Sequence, residues 1–363
     1  MAKSLFPYQQ VRRFILDHLN QRIWKPGDLL PAEVKLAAQL CVHRLTVNRV
    51  MTELVREGVL TRRRGVGTIV SEKASGGVKP VLGKGIVGLI TGHYFNPATN
   101  QFYGFIFEKM RKLLSGEGIY LMPLGDAKEF FDGPAKAAGV GNIQESLSAI
   151  ALLGTASSEI FSALESFERP AVIIGVSEYS GPLPSVSTDD AADAAKVAER
   201  ILELGHRQIV HLNSAFPLRM HARLQGFLSA CERSGHAIPF RYVVEAPGLE
   251  VADGHAAMLE FLDRNLPFTA VFGGNDNLAL GAISALKERG VSVPGDVSVV
   301  GFDGIHAALH CTPPLSTMKV SRHRLAEQAV AHLVAACTGG TSKNLAERLD
   351  SQWIAGGTLS AAR

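Results

Sequence analysis

The chain has 363 residues, 46% hydrophobic and 20% charged, with a formal net charge of +3. That length exceeds one ordinary core, so two or three units of roughly 70–200 residues are expected. The composition excludes a disordered, collagen-like or supercharged chain. The small net charge hides an asymmetry: residues 1–75 hold 13 Lys and Arg against 6 Asp and Glu, a net of +7, and the remainder carries −4. A basic head on a slightly acidic body points to a polyanion bound by the head. Cys41, Cys231, Cys311 and Cys337 lie far apart, which argues against a disulfide framework and against a structural metal site. The first residues lack the apolar stretch of a signal peptide, and no apolar run reaches the length of a membrane span. A soluble, cytoplasmic protein is expected.

In chain order, Val11, Ile15 and Leu19 recur at four-residue spacing and predict a helix that stops before Pro26-Gly27. Pro31-Ala32-Glu33 reads as the opening of a second helix, with proline in the first turn and a carboxylate favoured by the helix dipole. Val47, Val50 and Leu54 form the buried stripe of a third, ended by Gly58. Its other face offers Arg44, Asn48 and Thr52, flanked by Thr46 and Arg49. Arg suits guanine, Asn suits adenine and Thr suits either, so this face is fit to read base edges. Two short strands are predicted around residues 59–62 and 68–70, joined through Arg62, Arg63, Arg64, Gly65 and Gly67. Three cations beside two glycines suit phosphate contact and a close approach to a groove.

Residues 71–84 are rich in Gly, Ser, Lys and Pro and read as a linker. Beyond them, apolar runs at 85–90, 119–124, 149–154, 171–176, 208–213, 241–246, 269–274 and 297–302 alternate with helix-length segments. The pattern predicts parallel strands covered by helices on both faces, in one doubly wound sheet or two smaller ones. Residues 179–188, with two prolines, fit a crossover between lobes, and no tandem repeat is evident.

Arg219 and Arg223 fall four apart on a helix that Pro217 opens, a like-charge spacing that an oxygen-rich ligand or a carboxylate would offset. Asn275 follows one predicted strand and Asp303 another, at the strand ends where open parallel sheets bind ligands. The same residues, and Asp276 above all, also suit helix capping. Tyr94, Phe102 and Tyr103 cluster beyond the first strand of the body, where they serve either as core or as apolar walls for a ligand ring.

Two resemblances bear on these residues. The stretch from Tyr8 to Val70 resembles the winged helix-turn-helix of GntR-family repressors, through PGD-x-LP-x-E, V-x-R-x-TV and EG-x-L-x-RR-x-G-x-GT. The resemblance implies that Arg44, Thr46, Asn48 and Arg49 enter the major groove and that residues 65–67 approach the minor groove. The chain departs at Val34, where some members carry Arg.

From about residue 85 onward the chain resembles the ligand-binding region of LacI-family regulators, a periplasmic-binding-protein-like fold. The resemblance rests on Thr188-Asp189-Asp190, Gly205-His206-Arg207, Arg223-Leu224-Gln225-Gly226-Phe227, Asn275-Asp276-Asn277 and V-P-G-D-V-S-V-V-G-F-D at 293–303. It implies effector contacts by Arg223, Asn275 and Asp303. The implied architecture is α/β: a winged helix-turn-helix at 1–72, a linker at 73–84, and a two-lobed effector-binding and dimerisation domain at 85–363. Lobe 1 would comprise 85–187 and 320–348, and lobe 2 would comprise 188–319 and 349–363. A GntR-like head on a LacI-like body resembles the arabinose-repressor arrangement.

The expected protein is therefore a transcription regulator, a homodimer on double-stranded operator DNA, controlled by a sugar or related small molecule, with no cofactor, metal or membrane. Sugar acids, sugar phosphates and nucleobases are rival effectors. A GntR-headed enzyme that uses pyridoxal phosphate is disfavoured by the length of the body and the lack of a Schiff-base lysine signature. GxSxG, HExxH and P-loop patterns are also absent from the sequence.

Overall fold

The computed structural model describes residues 7–20, 23–40, 42–56, 58–63, 65–71, 85–92, 101–132, 146–154, 157–215, 218–340 and 345–363. The predicted linker, Arg64, Tyr94 and Pro217 lie outside them. The chain divides into two compact units, Met1–Gly83 and Lys84–Arg363.

The first unit holds α1 (Pro7–Asn20), α2 (Glu33–Gln39), α3 (Arg44–Arg56) and an antiparallel pair, β1 (Leu60–Arg63) and β2 (Gly67–Val70). Its core is the one the two apolar stripes anticipate: Val11, Ile15 and Leu19 from α1 meet Val47, Val50 and Leu54 from α3, with Met51 added. Helix α2 begins at Glu33 with Ala32 as its N-cap residue, so Pro31 stands before the first turn and not within it. In the wing, Arg63 pairs with Gly67, whose φ of +131° is one that a side chain rarely adopts. A Cβ there would also press on Leu29, and Leu29 bridges to Ile69.

The second unit contains two six-stranded sheets, one per lobe. The first runs in the order β4 (Ile119–Asp126), β3 (Gly85–Thr91), β5 (Ala149–Leu153), β6 (Ala171–Ile174), β7 (Ser185–Thr188), β13 (Ala346–Leu349), all parallel. The second runs β9 (Val243–Ala246), β8 (Ile209–Ser214), β10 (Ala270–Gly273), β11 (Ser298–Asp303), β12 (Ser316–Lys319), β14 (Gln352–Ile354), with only β14 antiparallel. In both, the first five strands follow the doubly wound order 2-1-3-4-5. The two lobes thus repeat a topology although the sequence shows no tandem repeat.

All eight apolar runs contain a strand, with shifted ends. At 241–246 a short 3-10 turn, Phe240–Tyr242, takes the first part and the strand begins at Val243. Strands β7, β12, β13 and β14 have no apolar run. The segment read as a crossover at 179–188 ends in β7, where Ser185, Ser187 and Thr188 are buried. The chain passes between the sheets after β7, after β12, and between β13 and β14.

Each sheet is covered by helices: α4 (Gln101–Gly116) and α12 (Arg322–Cys337) pack together on the first, where α5 (Ala127–Asp132) meets α6 (Ser158–Glu165). On the second, α7 (Asp190–Glu203) packs beside α8 (Leu218–Arg233) and α9 (Val251–Asp263) beside α10 (Asp276–Glu288), with the short α11 (His306–His310) after β11. Along β3, Val87 and Leu89 enter one core while Ile86 and Ile90 enter another, the period-two alternation of a strand buried on both faces.

Candidate functional site

The site is assembled by two helix starts and two strand ends. Helix α7 begins where Asp189 caps it, its side chain accepting from the Ala192 amide at 3.0 Å. Asp190 is the first helical residue and is buried. Helix α8 comes against α7 through Gly226, where a Cβ would land on the carbonyl oxygen of Ala191. That backbone-to-backbone approach sets Arg219 and Arg223 beside the Asp190 carboxylate.

Arg223 is only 2% exposed and every nitrogen of its guanidinium is engaged. Nε donates to Asp190 Oδ1 at 3.0 Å, Nη1 to the Gly274 carbonyl at 2.7 Å, and Nη2 to Asp303 Oδ1 at 2.9 Å. Its plane lies over the Phe302 ring, 3.8 Å from the centroid. Arg219 donates through Nη2 to Asp190 Oδ1 at 3.3 Å and through Nη1 to the Tyr103 hydroxyl at 3.1 Å. It sits 4.7 Å from the Phe102 centroid. Both arginines are thus buried and paired, not solvated. Burial pushes the Asp190 carboxyl up, but Arg219 and Arg223 outweigh it and hold it below the ordinary range.

Asp303 ends β11 with φ +115°, a conformation that costs a non-glycine residue about 1–3 kcal/mol and recurs at ligand clamps. Asn275 is the N-cap of α10 (Asp276–Glu288): its Oδ1 accepts from the Leu278 amide at 2.7 Å and its Nδ2 donates to the Leu249 carbonyl at 3.1 Å. Capping thus falls to Asn275. Asp276 is instead buried beneath the site, taking the Ile305 amide at 2.7 Å and the Thr317 hydroxyl at 2.6 Å.

Burial raises the Asp276 carboxyl from 3.8 to about 8, with Asp303 adding to the rise, so at neutral pH it is protonated. An acid with a raised folded pKa stabilises fully below its unfolded value, and that contribution is lost as pH climbs to the folded value. Relative to Asp276→Asn, the native chain should lose up to about 1.4 kcal/mol per pH unit between pH 5 and 8, then level off. Urea titrations of the two proteins across that range check this, and parallel stability curves would contradict it.

Phe102, Tyr103, Arg219, Met220, Arg223, Leu249, Asn275 and Asp303 line one recess between the lobes. Six of the seven effector residues expected from the sequence therefore meet, and Tyr94 lies outside the described residues. The recess opens past the carboxyl ends of β8, β10 and β11, at the switch point of the second sheet. Asp190, in the sequence only part of the Thr188-Asp189-Asp190 motif, joins the site through arginines 29 and 33 positions away.

In the head, the α3 face presents Arg44, Asn48, Arg49 and Thr52. A residue the sequence marks only as a helix opening organises it: Glu33 accepts from Asn48 Nδ2 at 2.7 Å and from Arg62 Nη2 at 3.3 Å, and lies 3.5 Å from Arg44 Nε. Arg62 also donates to Thr52 at 3.1 Å, which ties the wing to the helix. Thr46 is half-buried near the start of α3, Arg49 pairs with Glu53, and Arg63, Gly65 and Gly67 are exposed along the wing. Among the described residues no group of three His, Cys, Asp or Glu is placed to hold a metal, and no helix is long and apolar enough to cross a membrane.

Fold and site together define a two-part protein, a winged helix-turn-helix carried with a two-lobed α/β body. Residues 7–70 match the family model of bacterial regulatory proteins of the gntR family, and residues 198–359 match that of the periplasmic binding protein-like domain. The head is thus similar to the gntR family and the body to the periplasmic binding protein-like domain. The chain is 27% identical to the arabinose metabolism transcriptional repressor of Geobacillus stearothermophilus over 92% of this chain and 91% of that one. With the HTH-type transcriptional repressor PurR of Proteus mirabilis it shares 34% identity over 48% of this chain and 52% of the other. It thus spans about half the length of the PurR and CytR relatives it matches. Among solved structures, a LacI transcriptional regulator from Bacillus cereus subsp. cytotoxis superposes with a TM-score of 0.69 at 25% identity, covering 77% of this chain and 99% of that one. A LacI-family regulator from Enterococcus faecium, with bound ribose, shares the fold at a TM-score of 0.64 and 21% identity, over 77% and 100% of the two chains.

Proposed function

We propose that the protein is a DNA-binding transcriptional regulator, a repressor of carbohydrate-metabolism genes, whose grip on its operator is set by a sugar or related small molecule held between the lobes. The observation that carries this reading is the Arg223 node. A buried guanidinium shared by Asp190 and Asp303 borders an aromatic-walled recess, in a chain whose head presents Arg44, Asn48 and Arg49 on an exposed helix. Its relatives are transcriptional repressors, and it works as a binding protein, not as an enzyme. It acts in the cytoplasm as a homodimer that sets two heads on half-sites about one helical turn apart. Arg44, Thr46, Asn48 and Arg49 enter the major groove, while Arg62, Arg63, Arg64, Gly65 and Gly67 serve the wing. Phe102, Tyr103, Arg219, Arg223, Asn275 and Asp303 hold the effector, with Tyr94 as a further wall.

A thermal-shift screen of the full chain across pentoses, hexoses, their phosphates and purines tests the sensing role. A true effector at 100-fold its Kd stabilises the folded chain by about 2.7 kcal/mol. A chain that no member of the panel stabilises would contradict it.

A further inference from the structure

The charges around the recess narrow the effector, given that the recess is the effector site. The buried node contains two guanidiniums, Arg219 and Arg223, and two ion-paired carboxylates, Asp190 and Asp303, so its formal charges cancel. Asp276, directly beneath, adds no charge while protonated. Arg322 is the next cation, but it donates to the carbonyls of Gln101 and Gly304, sits over the Phe105 ring, and does not line the recess.

The cancellation is built into the fold, not left to mobile side chains. Asp190 is 1% exposed and held by both arginines, with the Ser177 hydroxyl 3.3 Å from its Oδ2. An anionic ligand would meet guanidiniums already paired with two carboxylates, a carbonyl and a phenol, with only Arg219 Nε lacking an acceptor among the described residues. It would leave a net negative charge in a desolvated site, which is strongly unfavourable without a matching cation.

A hydroxyl-rich neutral ring meets the opposite situation. The Asp303 carboxylate faces the recess as an acceptor for ligand hydroxyls. Arg219 Nε–H is buried and has no acceptor among the described residues, so it is free to donate. Phe102 and Tyr103, edge to face with centroids 5.1 Å apart, supply the apolar wall.

We infer that Asp190, through the two arginines, is the residue that excludes anionic congeners such as sugar acids and sugar phosphates from the recess. Asp190 acts through the arginines as a positioning and charge-setting residue. Removing its charge leaves two guanidiniums against one carboxylate, an environment suited to a monoanion.

The test pairs each neutral sugar with its own anionic form, read by thermal shift and calorimetry on the full chain. The pairs are D-ribose with D-ribose 5-phosphate, L-arabinose with L-arabinonate, and D-galactose with D-galacturonate. The wild-type chain is expected to bind a neutral member at least 30-fold more tightly than its anionic partner. Asp190→Asn, nearly isosteric, is expected to narrow that ratio at least tenfold, by gaining affinity for the anion. The inference is overturned if the wild type binds the anionic member as well as the neutral one, even though the recess would then still be a sensor. It is overturned too if Asp190→Asn folds and leaves the ratio unchanged. If Asp190→Asn does not fold, the wild-type ratio alone decides. Silence of the wild type toward all six compounds would overturn the inference together with the sensing role on which it rests.

Discussion

Arg223→Ala is expected to destabilise the body by about 3–5 kcal/mol, the range for breaking a buried ion pair by removing one partner. Truncation strands Asp190 and Asp303 without their shared cation and leaves the Gly274 carbonyl without its donor. It also opens a void under Phe302, over which the guanidinium now lies. Arg219 cannot substitute, because its own reach to Asp303 Oδ1 is 3.8 Å and its other arm is on Tyr103. Arg223→Lys keeps the charge but not the three-way fork, so it should fall between the two. Denaturant unfolding measures the loss, and thermal shift under the stabilising effector should show no response in the alanine variant. A change below about 1 kcal/mol with the effector response intact would place the site elsewhere.

The second large effect is on DNA. Arg44, Arg49, Arg62 and Arg63 are exposed, and the proposed dimer would double them. For a protein with about 6–10 phosphate contacts, raising salt from 50 to 200 mM weakens binding on the order of 10³–10⁵-fold. Fluorescence anisotropy on a selected operator is expected to show that dependence. Arg63→Ala should reduce the slope with little change in sequence preference, whereas Asn48→Ala should relax preference at one position by about 1–3 kcal/mol. Affinity that is flat across this salt range would contradict DNA binding by the basic head.

What could be read from residues alone follows the range of the interaction. Strands such as β5, with five consecutive buried apolar residues, announce themselves locally, as do the helix stripes of α1 and α3. Strand β7 does not, because its buried serines and threonine resemble a loop, and β13 and β14 are short edge strands with charged or half-exposed residues. Arg223, Asn275 and Asp303 stand out in the sequence because strand ends and helix spacing are local signals. Asp190 and Glu33 do not, because their meaning comes from partners brought up by packing. Asp190 owes its arginines to the α7–α8 contact at Gly226. Glu33 owes Asn48 and Arg62 to residues 15 and 29 positions away. A carboxylate at a helix start looks like a dipole partner until the fold shows which cations converge on it.

A regulator must transmit occupancy of the recess to the head. A ligand can shift operator affinity only by its differential affinity for the two states, and the operator must shift ligand affinity by the same factor. The most direct measurement is therefore operator binding by the full chain, followed by anisotropy at fixed salt, with and without a saturating stabilising sugar. The operator Kd is expected to change at least tenfold, equivalent to about 1.4 kcal/mol, and to be unmoved by the sugar in Arg223→Ala. Superimposable binding curves with and without the sugar would contradict the coupling of recess and head.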